Sequence, residues 1–164
     1  MATATIQPIS HITPDNDVVT TELFIAAPRE RIFDALTDPQ QVVQWWGQGG
    51  LYKMDRFQMD LRPGGKWSTM GMSCKLGPTE VGGEILEVDP PKRLSYTWSS
   101  TWMPKVTKVF WELDIKDGGT LVKITHSGFA GDAAQAQDHS SGWIRVIAWV
   151  QGYAERGETI ATRT

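Results

Sequence analysis

The sequence predicts an α+β domain: a curved, seven-stranded antiparallel sheet around a long C-terminal helix, with two short helices after the first strand. Three observations lead there. Residues 54–127 alternate apolar and polar positions between tight-turn signals, the mark of antiparallel strands joined by hairpins. Residues 135–157 switch to an apolar period of 3.6. A β-branched run at 18–26 precedes two short helical patterns, so one strand opens the domain before the helices cross over.

Taken in order, residues 1–16 are polar, hold Pro8 and Pro14 and show no periodicity, which predicts a flexible N-terminal arm. The first strand is VVTTELFIA, 18–26. Pro28 then stands at a helix's first position, where its fixed φ helps and its missing N–H costs nothing. Ile32, Phe33 and Leu36 follow at helical spacing, giving a helix over 28–37. Asp38-Pro39-Gln40-Gln41 resembles a capping box and starts a second helix over 39–46, which Gly47 ends.

Strands are expected at 54–61, 66–73, 79–89, 93–100, 106–116 and 119–127. Arg62-Pro63-Gly64-Gly65 has the proline-before-glycine order of a type II turn, and Asp117-Gly118 is a hairpin signal. Asp89-Pro90-Pro91-Lys92 forces a third reversal, and Gly82-Gly83 is read as a bulge that curls the sheet. On the last helix Trp143, Ile147, Val150 and Ala154 form a core stripe. Beside it run Gly142, Val146, Trp149 and Tyr153, bordering either a cavity or an oligomer contact, so a homodimer is admitted. The chain divides into the arm at 1–16, a single domain at 17–158 and a short tail at 159–164.

Composition narrows the function classes. Sixteen Lys plus Arg against nineteen Asp plus Glu give a net charge of −3 with both signs interspersed, so no basic stripe invites nucleic acid. The N-terminus has no signal-peptide pattern, and no segment approaches the roughly 18 apolar residues of a membrane span. A single free thiol, Cys74, fits a reducing cytoplasm and excludes an internal disulfide. No HExxH, CxxC, GxSxG, phosphate loop or dinucleotide fingerprint is present, so no catalytic residue, metal or cofactor is assigned. The anomaly is eight tryptophans.

Five stretches, in this order, carry a family resemblance: AAPRERIFDALTDPQQVVQWWG, DLRPGGKW, GGEILEVDPPKRLSYTW, THSGF and GWIRVIAWVQGY. Over about residues 18–157 the chain resembles the activator of heat-shock-protein-90 ATPase homologues, within the SRPBCC or START-like superfamily. The resemblance implies the helix-grip fold, the START/birch-pollen-allergen architecture, with an apolar cavity between sheet and helix. Members of the superfamily bind lipids, sterols, plant hormones and polyketides, and some are aromatases or cyclases. The eukaryotic co-chaperone of the group has an additional N-terminal domain, where this chain is expected to have only its arm.

Strand alternation selects the residues that would line such a cavity. Phe57, Met59 and Leu61 share one face; Leu94, Tyr96 and Trp98 a second; Val109, Trp111, Leu113 and Ile115 a third; Val122, Ile124 and His126 a fourth. Two readings stay open: these side chains fill the space themselves, or they wall a site for an apolar, aromatic or lipid-like ligand with one or two polar handles. The cavity candidates are Trp45, Phe57, Met59, Trp67, Tyr96, Trp98, Trp111, His126, Trp149 and Tyr153. His126 is expected to be either a satisfied core histidine or a ligand anchor. Glu87 falls on the Val81, Gly83, Ile85 face and would pair with Arg62 or Arg93 if buried. On the second helix Trp46 shares an arc with Val42 and Val43 and is expected to anchor the core, leaving Trp45 either to cap the packing between helix and sheet or to lean over the cavity beside a glycine-rich lip. Met54, Met59, Met70 and Met72 would add adaptable apolar surface. The functional expectation is binding of a small hydrophobic ligand; the alternatives are a protein-interaction module of chaperone-cofactor type and a polyketide cyclase or aromatase-like enzyme.

Overall fold

A computed structural model describes residues 7–163. Its core strands are β2 (Val18–Ile25), β4 (Tyr52–Met59), β5 (Lys66–Ser73), β6 (Gly77–Asp89), β7 (Arg93–Ser100), β8 (Thr107–Lys116) and β9 (Gly119–Ser127). These are the seven strands read from the sequence, but among the described residues the sheet has nine. Two short edge strands, β1 (Ile9–Ile12) and β3 (Gly47–Gln48), complete the order β1-β2-β9-β8-β7-β6-β5-β4-β3, antiparallel throughout. The stretch expected to be a loose arm therefore holds a strand, with Ile9 opposite Glu22 and Ile12 opposite Val19. Residues 1–6 of that arm lie outside the described residues. Serine hydroxyls hold β1 in place: Ser10 Oγ meets Thr21 Oγ1 at 3.0 Å and Ser140 Oγ at 2.7 Å.

Turn chemistry does what its residues require. Gly65 N–H donates to the Arg62 carbonyl at 2.9 Å and Gly64 takes φ +84°, the positive φ of a type II turn. Asp117 and Gly118 both have positive φ (48° and 79°), which matches the twist of the β8–β9 hairpin.

The helices are α1 (Arg29–Thr37), α2 (Pro39–Trp45) and α3 (Ala133–Arg156). The Asp38 carboxylate caps α2 by accepting from Gln40 N–H at 3.0 Å, and Gln41 Nε2 reaches the same carboxylate at 3.2 Å. Asp132 caps α3 through Gln135 N–H at 3.1 Å, and Gly157, left-handed at φ 69°, ends it. α3 packs on β2, β1 and α1. Its Glu155 accepts from Ala26 N–H at 2.8 Å, and Arg31 Nε donates to the Ala154 carbonyl at 2.8 Å.

Two bulges redirect side chains that alternation had placed. The β6–β7 register slips between Ile85 and Glu87, so Leu86 is the extra residue. Beyond it the faces exchange: Glu87 is exposed and without an ion pair among the described residues, while Arg62 pairs with Asp60 instead. A second slip in β4, between Met54 and Arg56, puts Met54 on the inward face with Phe57; Met59, on the same face at the strand's end, is half-buried. Gly82 and Gly83 are not a bulge, since the register runs unbroken across them. Gly83 is a close approach: a Cβ there would lie 2.1 Å from the Thr97 carbonyl oxygen, to which Trp67 Nε1 donates at 2.9 Å. Leu61 and Ile115, expected inside, are exposed beyond the point where the core ends.

Candidate functional site

Between α3 and the concave face of β4–β7 lies a cleft of about 410 Å³, within the roughly 300–1,000 Å³ of small-molecule sites. The sheet contributes Met54 and Phe57 from β4, Trp67 and Thr69 from β5, Thr79 and Val81 from β6, and Tyr96 and Trp98 from β7. α3 contributes His139, Gly142, Trp143, Val146 and Trp149, one stripe at helical spacing. Leu36, Trp46 and Leu51 complete the wall from the helical side. Cys74, Lys75 and Leu76 in the β5–β6 turn face Asp138, Ser141 and Arg145 of α3, and most of these are exposed, so the cleft opens there.

Of the ten cavity candidates, Phe57, Trp67, Tyr96, Trp98 and Trp149 stand on this wall. Trp45, Met59, Trp111, His126 and Tyr153 do not. Met59 sits at the end of β4 opposite Trp67, outside the cleft. Tyr153 lies on the far flank of α3, donating to Gln41 Oε1 at 3.0 Å under the Arg31 guanidinium. Trp111 is one layer deeper and donates its indole N–H to the Tyr96 hydroxyl at 2.9 Å. Burial raises the Tyr96 phenol well above its ordinary value, so it stays protonated.

His126 is also a second-layer residue, with no exposed surface. Its Nδ1 accepts from Trp143 Nε1 at 3.0 Å, which requires that nitrogen to be bare. Its proton therefore sits on Nε2 and is donated to Thr107 Oγ1 at 2.7 Å, and Thr107 donates onward to the Trp98 carbonyl at 3.1 Å. The chain satisfies every member and needs a neutral ring. Burial, with His139 nearby, holds His126 well below the ordinary value of 6.5. The ligand-anchor reading of His126 gives way to a positioning one: it fixes Trp143 and Trp98, which do face the cleft.

The two adjacent indoles exchange roles relative to expectation. Trp45 is fully buried and donates to the Ala35 carbonyl at 2.8 Å; Trp46 is half-buried and lines the cleft. α2 stops at Trp45, and Trp46 leaves helical geometry at φ −83°, ψ 86°, so a spacing of 100° per residue no longer places it. Val42 and Trp45, three apart, share the buried face instead. Met54 joins the wall, whereas Met70 and Met72 point outward from β5.

Reasoning from the sequence missed His139, Trp143 and Trp46 as wall residues. His139 was legible at the spacing 139, 142, 146, which continues the glycine stripe by one turn. The C-terminal tail also matters. After a 3-10 turn at Ile160–Thr162, Arg163 donates to the Gly47 carbonyl at 2.9 Å and the Trp149 carbonyl at 2.8 Å, and lies over the Trp149 ring. Among the described residues no three His, Cys, Asp or Glu side chains come together as metal ligands, and no helix is long and apolar enough to cross a membrane.

A bent antiparallel sheet gripping a C-terminal helix, with an aromatic-walled cleft between them, defines a helix-grip protein. The chain belongs to the family described as Activator of Hsp90 ATPase homolog 1-like protein, whose model matches residues 26–155. Solved structures share the fold. Protein Ms6760 from Mycobacterium smegmatis is 22% identical with a TM-score of 0.77, over 90% of this chain and 96% of its own. The AHSA1-like protein from Aeromonas hydrophila is 20% identical with a TM-score of 0.71, over 85% and 93%. CalU16 from Micromonospora echinospora is 19% identical with a TM-score of 0.62, over 93% and 87%. At these identities the likeness is one of fold. No functionally curated protein matches the chain.

Proposed function

We propose that this protein binds one small apolar molecule, aromatic or lipid-like, in the cleft between α3 and the sheet. One observation carries the reading. The aromatic side chains that could have filled the space, Phe57, Trp67, Tyr96, Trp98, Trp143 and Trp149, stand around about 410 Å³ instead of closing it. Several of them are held there by their own polar atoms. Trp67 is tied to Thr97, Trp143 to His126, and Trp149 Nε1 donates to Gln48 Oε1 at 3.4 Å. Rings fixed in this way keep a site preformed, which lowers the ordering cost of binding. The walls also favour planar ligands, because aromatic rings gain by offset stacking and edge contacts beyond their area.

Titration of the purified protein with 2-methylnaphthalene, followed by tryptophan fluorescence and checked by native mass spectrometry, tests this. Saturable quenching at one ligand per chain is expected. Failure of a panel of aromatic and long-chain ligands to bind saturably would overturn the proposal.

A further inference from the structure

Residues that line the cleft carry buried polar atoms without partners among the described residues. His139 Nδ1 lies 2.8 Å from the Gln135 carbonyl, which can only accept, so Nδ1 carries the ring proton. Nε2 of the neutral ring is then a bare lone pair, and it is buried with no hydrogen-bond partner among the described residues. Burial lowers the His139 pKa, which favours that neutral ring. Beside it stands Trp102, in the loop between β7 and β8, with its ring nearly parallel to the imidazole (22°, centroids 6.2 Å apart). Trp102 Nε1 is likewise buried and unpartnered, so a donor and an acceptor lie on neighbouring rings of residues that line the cleft. Buried polar groups are rarely left unpaired without a reason.

We propose that the cleft selects an uncharged aromatic molecule bearing a hydroxyl group, whose O–H donates to His139 Nε2 while its oxygen accepts from Trp102 Nε1–H. The inference rests on the cleft being the ligand site. A hydroxyl is the small group that satisfies both atoms at once. A carbonyl or ether oxygen accepts from the indole but leaves the imidazole lone pair facing another lone pair. A carboxylate does the same with a full negative charge; among the described residues Lys75 and Arg145 belong to the exposed mouth, and Lys105 Nζ is bonded to the Phe129 carbonyl. Trp98 stands edge-on to His139 at 78°, and its Nε1 is a second buried donor without a partner among the described residues.

Three ligands matched in size separate the possibilities: 2-naphthol, 2-methylnaphthalene and 2-naphthoate, each titrated by fluorescence and calorimetry. Naphthol is expected to bind about tenfold tighter than methylnaphthalene, the scale of one or two net hydrogen bonds. Naphthoate is expected to bind weakest. In His139→Phe the naphthol-to-methylnaphthalene ratio should collapse toward unity; in Trp102→Phe, at a half-buried loop position, it should fall part of the way. Equal affinity for the two neutral ligands, or a ratio that survives both substitutions, would overturn the hydroxyl inference and leave the cleft reading intact. Naphthoate binding tightest would overturn it in favour of anion recognition. Saturable binding by none of the three would overturn the cleft reading and this inference with it.

Discussion

Adjacent indoles at Trp45 and Trp46 divide the labour of core and cleft. Trp45 has no exposed surface and a hydrogen-bonded N–H, so Trp45→Ala is expected to cost about 3–5 kcal/mol of stability. Trp46, half-buried at the cleft, should cost far less on truncation while weakening ligand binding; chemical denaturation beside a ligand titration separates the two effects. His126 makes a second residue-scale prediction, about pH. Its folded form needs a neutral ring, because Nδ1 accepts from Trp143. In the unfolded chain it takes up a proton near 6.5, and in the folded protein only at lower pH. The unfolded state therefore binds more protons in that window, so stability is full above about 6.5 and falls as pH drops through it. His139, lowered in the same direction, adds to the fall. Denaturation midpoints at pH 7.5 and 5.0 should show this loss, and it should shrink in His126→Phe. That variant also leaves Trp143 Nε1 and Thr107 short of a partner, at about 1–3 kcal/mol.

Within elements, what could be read from the sequence was what depends on local chemistry. The Pro-Gly and Asp-Gly turns, the Asp38 cap with Pro39 behind it and the apolar face of α3 all formed where their residues direct. The irregularities could not be read there. A bulge adds one residue without a compositional mark, so alternation carried Glu87 to the wrong face past Leu86 and did not put Met54 on the face of Phe57. β1 went unseen because four residues between Pro8 and Pro14 hold too short a pattern, and its pairing comes from Thr21 and Ser140 far along the chain. For the cleft, alternation found the sheet rings Phe57, Tyr96 and Trp98. The helix-terminal Trp46 and the loop Trp102 escaped, since neither obeys a period. Gly83 supplies the element-scale prediction. A Cβ there meets backbone rather than a flexible side chain, so Gly83→Ala must push β6 from β7 and break the Trp67–Thr97 bond. A loss of about 1–3 kcal/mol is expected, read as a lower urea midpoint.

At the scale of the molecule, the sheet and a 24-residue helix hold open a space that their own side chains do not fill. Gly142 stands at the centre of that arrangement. It is a mid-helix glycine on the cleft face, and a Cβ added there meets nothing within 4 Å. Glycine in a helix interior costs about 0.5–1 kcal/mol relative to alanine, so the position forgoes stability and gains only room. Gly142→Leu directs four carbons into the cleft while improving helix propensity. Titrating this variant with 2-methylnaphthalene, beside its thermal unfolding, tests the ligand-cleft claim most directly. The expected result is a protein at least as stable as the wild type that binds the probe at least about tenfold more weakly; unchanged affinity in a stable Gly142→Leu protein would contradict it.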